Sequence, residues 1–355
     1  MSTRRPLTRD RLGARRIFVD VASGKRAADL HGLLSLVPAA RRGGLDVLGI
    51  EAALGLVNAP ARTCLAAVRA VPPASARPRA SSCPSPRPHP RLRSALGESL
   101  VAAALDLLAG ARHPVVALGG GLDAPLAVLA ARRAGIVIEH ALHVFLPGTS
   151  YDEVDAARET AEALSLSLHE IPLTASELAS ALPHAVRLAE TPLYNLHPVS
   201  RAVLARVART RGHDMLVTGD GADQAARGAT EPADYVPIVA AITRATGIGL
   251  AAPFVDEEVV ELVVAAADPD KRILRELAIA WGLPSAIANR PKIPCFAPPL
   301  PRQRFPEPAA LAHLATLLAR TSGFTRPLAW SADDRLNVGL ASLAAFVRVF
   351  EIEAG

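Results

Sequence analysis

The sequence predicts an α/β fold built on a parallel sheet with helices on both faces. Three observations predict it. Short apolar runs alternate with stretches of helical spacing between residues 92 and 218, the pattern of strand–helix–strand units. One run, Pro114–Leu118, is followed by three glycines and then by helical sequence. Another, Met215–Thr218, leads into a second glycine-rich loop, at the strand end where parallel sheets place ligands.

The elements follow in order. Residues 1–71 have mixed character: Arg16–Ala22 reads as a strand, while Val47–Leu56 and Cys64–Val71 carry helix-like spacing. So little periodic structure makes a poor independent domain, and this part is expected to pack against the rest. Residues 72–93 hold seven prolines and five arginines, which excludes a helix or a central strand and predicts a linker or surface loop. The linker is bounded at 76–93, between a small front part (1–75) and a large back part (94–355). The back part opens with a helix over Leu92–Leu108. Strand Pro114–Leu118, helix Leu122–Ala134, strand Ile138–Leu146, helix Tyr151–Leu164, strand His169–Leu173, helix Val199–Arg211 and strand Met215–Thr218 follow. Beyond Asp220 the pattern is mostly helical, broken by proline-rich loops at 291–307.

Half of the 355 residues are hydrophobic, which excludes global disorder. No apolar run reaches the roughly 20 residues of a membrane span, and the basic N-terminus lacks the apolar core of a secretory signal. Cys64, Cys83 and Cys295 are too widely spaced for a disulfide framework or a zinc pattern. The cytoplasm is therefore the default expectation. The net charge is +5, yet only Lys25, Lys271 and Lys292 of the 39 basic residues are lysines. That reads as a compositional bias toward arginine rather than a nucleic-acid surface, so neither nucleic acid nor a membrane is expected as a partner.

Three places carry chemistry. In Gly119-Gly120-Gly121-Leu122-Asp123-Ala124, backbone N–H groups between a strand and a helix can converge on an anion, and Asp123 can hold a metal that bridges phosphates. The alternative is a tight turn with Asp123 as the helix N-cap. It is neither a Walker loop nor a GxGxxG fingerprint. In Thr218-Gly219-Asp220-Gly221-Ala222-Asp223, two carboxylates three apart suit Mg²⁺ or proton handling. The alternative is a solvated acidic turn. In Asn289-Arg290-Pro291-Lys292-Ile293-Pro294, prolines restrict the backbone around a lysine whose compact ammonium arginine does not replace. It can stabilise charge developing on a phosphate or tetrahedral centre. The alternative is an incidental surface lysine.

Together, in order and spacing, these motifs resemble the synthetase domain of the asparagine synthetase family. That group includes β-lactam synthetase, carbapenam synthetase and lasso-peptide cyclases. The family's SGGLDS loop corresponds to GGGLDA (Gly119–Ala124), and its GEGADE loop to GDGADQ (219–224). Its late segments correspond to Pro253-Phe254-Val255-Asp256, Lys271–Glu276, Leu283-Pro284 and Arg290-Pro291-Lys292. Tyr151-Asp152-Glu153 matches the start of the helix after the second strand. The resemblance spans about residues 91–350. Arg9–Gly13 and Leu45–Pro73 resemble late segments of the family's glutaminase half, without its nucleophilic cysteine, so no glutamine hydrolysis is expected.

The resemblance implies a five-stranded sheet of the adenine nucleotide α-hydrolase type, a helical C-terminal part and a small glutaminase remnant. It implies ATP and Mg²⁺ as cofactors and activation of a small-molecule or peptide carboxylate as an acyl-adenylate. Attack by ammonia, a substrate amine or a separate amine donor follows, with a partner protein an open role. Gly119, Gly120, Gly121, Leu122, Asp123 and Ala124 are implied as the cradle of the pyrophosphate, and Leu118, Gly219 and Gly221 as further cofactor-binding residues. Val144, Phe145 and Leu146 are implied near adenine. Asp123 and Asp223 would hold Mg²⁺, Lys292 would stabilise the transition states, and Asp220 stands where relatives place a residue linked to amine deprotonation. Both serines of the phosphate loop are absent here, replaced by Gly119 and Ala124, and Pro125 follows. Gln224 and Ala225–Gly228 depart from the family's second loop. A non-catalytic relative that binds nucleotide or a partner, and another ATP-pyrophosphatase chemistry such as tRNA modification, stand as the other readings.

Overall fold

In the computed structural model, the described residues are 14–54, 61–72, 89–149, 152–227, 235–291 and 334–352, with Leu12, Ala59 and Thr316 besides. A five-stranded parallel sheet forms the centre. Its strands are β4 (Pro114–Ala117), β5 (His140–Phe145), β6 (Ser167–Pro172), β7 (Met215–Val217) and β8 (Gly249–Ala251), ordered β6-β5-β4-β7-β8. The order reverses between β4 and β7, so the loops after these two strands meet at the topological switch point where doubly wound sheets bind ligands.

The two-residue period of the strands divides the core. Val115, Leu142 and Leu216 point into one hydrophobic cluster, which also takes side chains of α6 (Ala175–Ala189), α7 (His197–Thr210) and the last helix, Asp334–Val349. Val116, Ala141 and Val217 point into the other. That cluster is closed by α3 (His89–Leu108), α4 (Asp123–Arg133), α10 (Glu257–Ala266) and α11 (Arg272–Ala280). Helices thus cover both faces, as the alternating pattern predicted.

The front part forms a small antiparallel sheet, β1 (Phe18–Asp20) between β2 (Arg26–Ala27) and β3 (Val68–Ala70), with helices α1 (Leu30–Leu36) and α2 (Val47–Ala53). Among the described residues it has no core of its own. Phe18, Leu33, Leu34 and Ile50 share one cluster with Leu182, Phe346 and Phe350. The buried Glu190 carboxylate accepts the Leu30 N–H at 2.9 Å and ties α1 to the end of α6.

Several expectations are corrected. Cys64–Val71 is not helical: Val68–Ala70 pairs antiparallel with β1, and the ladder outweighs the weak periodicity. The helix after the proline-rich stretch begins at His89, inside the expected 76–93 linker, because Pro90 sits in the first turn, where its missing N–H has no partner to lose. Helix α6 and strand β8 were unread. Pro183 interrupts the pattern of α6, although the reciprocal Thr174–Glu177 capping box marks its start. Strand β8 is three residues long and opens with a glycine.

Candidate active site

The glycine loop leaves β4 through Leu118, whose N–H donates to Leu142 O at 2.9 Å and extends the ladder with β5. A buried histidine, His143 on β5, closes the same corner: its Nδ1 lies 2.8 Å from Leu118 O. Burial holds His143 below the usual imidazole range, so it is neutral with Nδ1–H donating.

The three glycines occupy different environments. A Cβ on Gly120 would stand 2.7 Å from Ala156 Cβ, so the loop packs directly on α5 (Val154–Ala163). A Cβ on Gly119 would face the Glu153 carboxylate at 3.6 Å. Burial pushes the Glu153 carboxyl up, against a hydrogen bond from the Gly120 N–H and the charge of Arg290. Around Gly121 there is open space on the solvent side of the loop. Helix α4 starts at Asp123 with Leu122 as its N-cap and no side-chain cap bond. Asp123 is therefore not the cap, and its carboxylate is turned elsewhere.

It turns toward the second loop. Gly219 passes so close that a Cβ would lie 2.4 Å from Asp123 Cβ, and Gly221, at φ +101°, backs onto Phe254 O. These glycines are required by backbone approach and bring the two loops together. Asp223, in the first turn of α8 (Ala222–Arg227), then faces Asp123 across one cation. The Lys271 Nζ lies 2.7 Å from Asp123 Oδ2 and 2.7 Å from Asp223 Oδ1. Arg227 stands further from Asp223, at 3.8 Å.

Asp220 has a different setting. Both of its oxygens take hydrogen bonds from Arg201 of α7, at 2.8 and 3.0 Å, and Tyr235 Oη donates to Oδ1 at 3.3 Å. Both members of the pair are buried. Burial opposes ionisation of Asp220, but the Arg201 charge and hydrogen bonds outweigh it and hold the carboxyl below its usual range. That makes Asp220 a fixed anion and a poor proton acceptor, at odds with the amine-deprotonation role the resemblance implied for its position.

Arg290 fastens the glycine loop from the other side. It donates to Gly120 O at 2.9 Å, to Ala156 O and Thr160 Oγ1 at 3.3 Å each, and to the Glu159 carboxylate. Val144, Phe145 and Leu146 lie at the same end of the sheet, at the tip of β5, with Phe145 stacked on His143 at 5.6 Å. Lys292 and Tyr151 lie outside the described residues.

The structure thus brings together both aspartates and both loops that the sequence singled out. Sequence reading missed Lys271 as a site group, naming it only within a motif, and missed Arg201, Glu153 and His143. The scarcity of lysine was the available signal for Lys271, which sits at φ +58° and is 6% exposed. Nothing in the one-dimensional pattern marks Arg201 among so many arginines.

The doubly wound sheet thus carries two glycine-rich loops at its switch point, with two carboxylates facing one cation between them. Residues 95–236, which include both loops, match the family model described as asparagine synthase. The match ends before Lys271 and Arg290. The chain is also 34% identical to "Amidase chyE" of Penicillium rubens over 73 residues, which is 21% of this chain and 11% of that protein. It therefore spans about a tenth of that relative's length. The solved NMN synthetase from Francisella tularensis aligns over 75% of this chain and 94% of its own, at 13% identity and a TM-score of 0.34. Among the described residues no helix is long and apolar enough to cross a membrane.

Proposed function

We propose that this chain joins a carboxylate to an amine or ammonia, consuming ATP and releasing AMP and pyrophosphate, without hydrolysing glutamine. The observation that carries the reading is the meeting of Asp123 and Asp223, from the two switch-point loops, on a single cation. Two hard carboxylates converging on one positive charge fit Mg²⁺, which takes one or two protein carboxylates and completes its shell with phosphate oxygens and water. Bound there, the metal would neutralise charge on the pyrophosphate leaving group.

The chain's own groups have the following proposed parts. Backbone N–H groups of Gly119–Ala124 and the N-terminus of α4 hold phosphate oxygens. Leu118 and Val144–Leu146 border the adenine. Arg290 fixes the loop from behind through Gly120 O. Lys292 stabilises charge on the pentavalent phosphorus during adenylation and on the tetrahedral carbon during amine attack. In the first step the substrate carboxylate oxygen bonds to the α-phosphorus and pyrophosphate leaves. In the second the amine nitrogen bonds to the acyl carbon, AMP leaves, and the amine gives up a proton. Asp220 contributes a fixed negative charge that holds Arg201 and Tyr235 beside the loop.

One observation favours a second reading, a degenerate nucleotide- or partner-binding relative. Ala124 and Gly119 supply no hydroxyl to phosphate, and the Glu153 carboxylate lies against Gly119. A screen of carboxylic acids with ammonia or primary amines, read as AMP release, separates the two. AMP that depends on a carboxylate supports the ligase. ATP binding with no AMP from any acid in a wide panel overturns it in favour of the second reading.

A further inference from the structure

We propose that the Lys271 ammonium is a built-in counter-cation of the metal site. It holds Asp123 and Asp223 together when no divalent ion is present, and a metal arriving with nucleotide displaces it toward the phosphates. This rests on the reading of the sheet end as a Mg²⁺–nucleotide site.

Four observations support it. The ammonium donates a charge-assisted hydrogen bond to Asp123 Oδ2 at 2.7 Å and stands in ion-pair contact with Asp223 Oδ1, also at 2.7 Å. Its side chain is 7% exposed, and the two aspartates are 21% and 19% exposed, so solvent screens the contacts only partly. The lysine also stands in a left-handed backbone conformation, φ 58° and ψ 34°, just before α11. Residues with a Cβ seldom adopt that conformation, and on backbone grounds glycine or asparagine would be favoured. Finally, the chain uses arginine almost everywhere, yet keeps a lysine here. A guanidinium is a planar fork shaped for a single carboxylate, whereas an ammonium is a point charge that can sit between two from different loops.

The consequence is competition. Asp123 and Asp223 cannot give the same oxygens to an ammonium and to a divalent ion. A metal alone must displace a buried cation, and the remaining carboxylate of these two loops, Asp220, is already held by Arg201. A metal–nucleotide complex brings phosphate oxygens that accept the ammonium as it leaves. The site is therefore closed to free metal and open to metal bound to nucleotide, and Lys271 changes partner from carboxylates to phosphate.

The test uses Mn²⁺ as probe, followed by electron paramagnetic resonance on the full chain. Wild type without nucleotide is expected to bind Mn²⁺ weakly, and ATP to tighten binding beyond what ATP does in buffer. Lys271→Met without nucleotide is expected to bind Mn²⁺ at least about tenfold more tightly than wild type, since carboxylate charge sets the affinity of such sites. Lys271→Gln serves where the methionine variant does not fold, and the wild-type titration stands without either. Tight wild-type binding of Mn²⁺ alone, or a folded variant no tighter than wild type, overturns the counter-cation. A wild type whose Mn²⁺ signal ATP does not alter beyond the buffer control overturns the nucleotide reading itself.

Discussion

Arg201→Met isolates what a buried counter-charge contributes beside the second loop. Arg201 and Asp220 are 6% and 7% exposed and share two hydrogen bonds of 2.8 and 3.0 Å, with Tyr235 as a third contact at 3.3 Å. Methionine keeps much of the side-chain volume but leaves a carboxylate in the interior without its partner charge. Breaking such a pair from one side costs about 3–5 kcal/mol, far more than the pair is worth against apolar residues of the same shape. Urea unfolding at pH 7 should show that loss as a lower midpoint with an unchanged slope. Arg201→Met/Asp220→Leu, which removes both charges, should recover most of it. The pH dependence follows from the direction of the Asp220 shift. Its folded value is depressed, so in wild type its contribution is present above the unfolded value near 3.9 and is lost only as pH falls through the folded value. In Arg201→Met burial loses its main opponent and the Asp220 carboxyl rises from its wild-type position, so proton uptake relieves the strain and the gap to wild type should narrow as pH falls below 7. A loss below about 1 kcal/mol at pH 7, with no such narrowing, would refute the description of Asp220 as a fixed buried anion.

Other expectations follow from the same geometry. Gly121→Ala meets nothing in the fold and should leave stability within about 0.5 kcal/mol, yet weaken Mg–ATP binding in calorimetry if the loop cradles phosphate; equal affinity would argue against that cradle. Gly120→Ala forces a 2.7 Å contact with Ala156 and should destabilise by about 1–3 kcal/mol in urea unfolding. Arg290→Ala should lower ATP affinity roughly tenfold, the equivalent of one charged hydrogen bond, while added guanidinium ion restores part of it. His143 and His213 are both held below the usual imidazole range, mainly by burial. Their contribution is fully present above about pH 6.5 and is lost as pH falls toward their folded values. His143→Phe should flatten the acid side of the stability profile; an unchanged profile would contradict that assignment.

The parts of this molecule that were legible in the sequence are the ones set by local pattern. Pro114–Leu118 and Met215–Thr218 announced themselves as apolar runs ending in glycines, and the loops they enter lie at the switch point. Asp123 and Asp223 were legible because each stands at a fixed offset from those glycines. What was not legible depends on distance in space. Lys271 reaches Asp123 across 148 positions, and Arg290 reaches Gly120 across 170. Arg201 looks like any of many arginines until α7 places it beside Asp220. Strand β8 was unreadable because its pairing with β7, not its composition, makes it a strand. Asp220 was given a proton-handling part from its place in the loop; the opposing guanidinium is what argues against that part.

The central claim is that the two loops hold Mg–ATP through Asp123 and Asp223. Thermal unfolding of the pure protein with and without Mg–ATP, beside Asp123→Asn, tests it most directly, because a ligand that binds only the native state must raise its stability. The expected result is a rise of about 2–6 °C at saturating nucleotide, dependent on Mg²⁺ and absent in Asp123→Asn. No rise in wild type at millimolar ATP, or an equal rise in the variant, would contradict it.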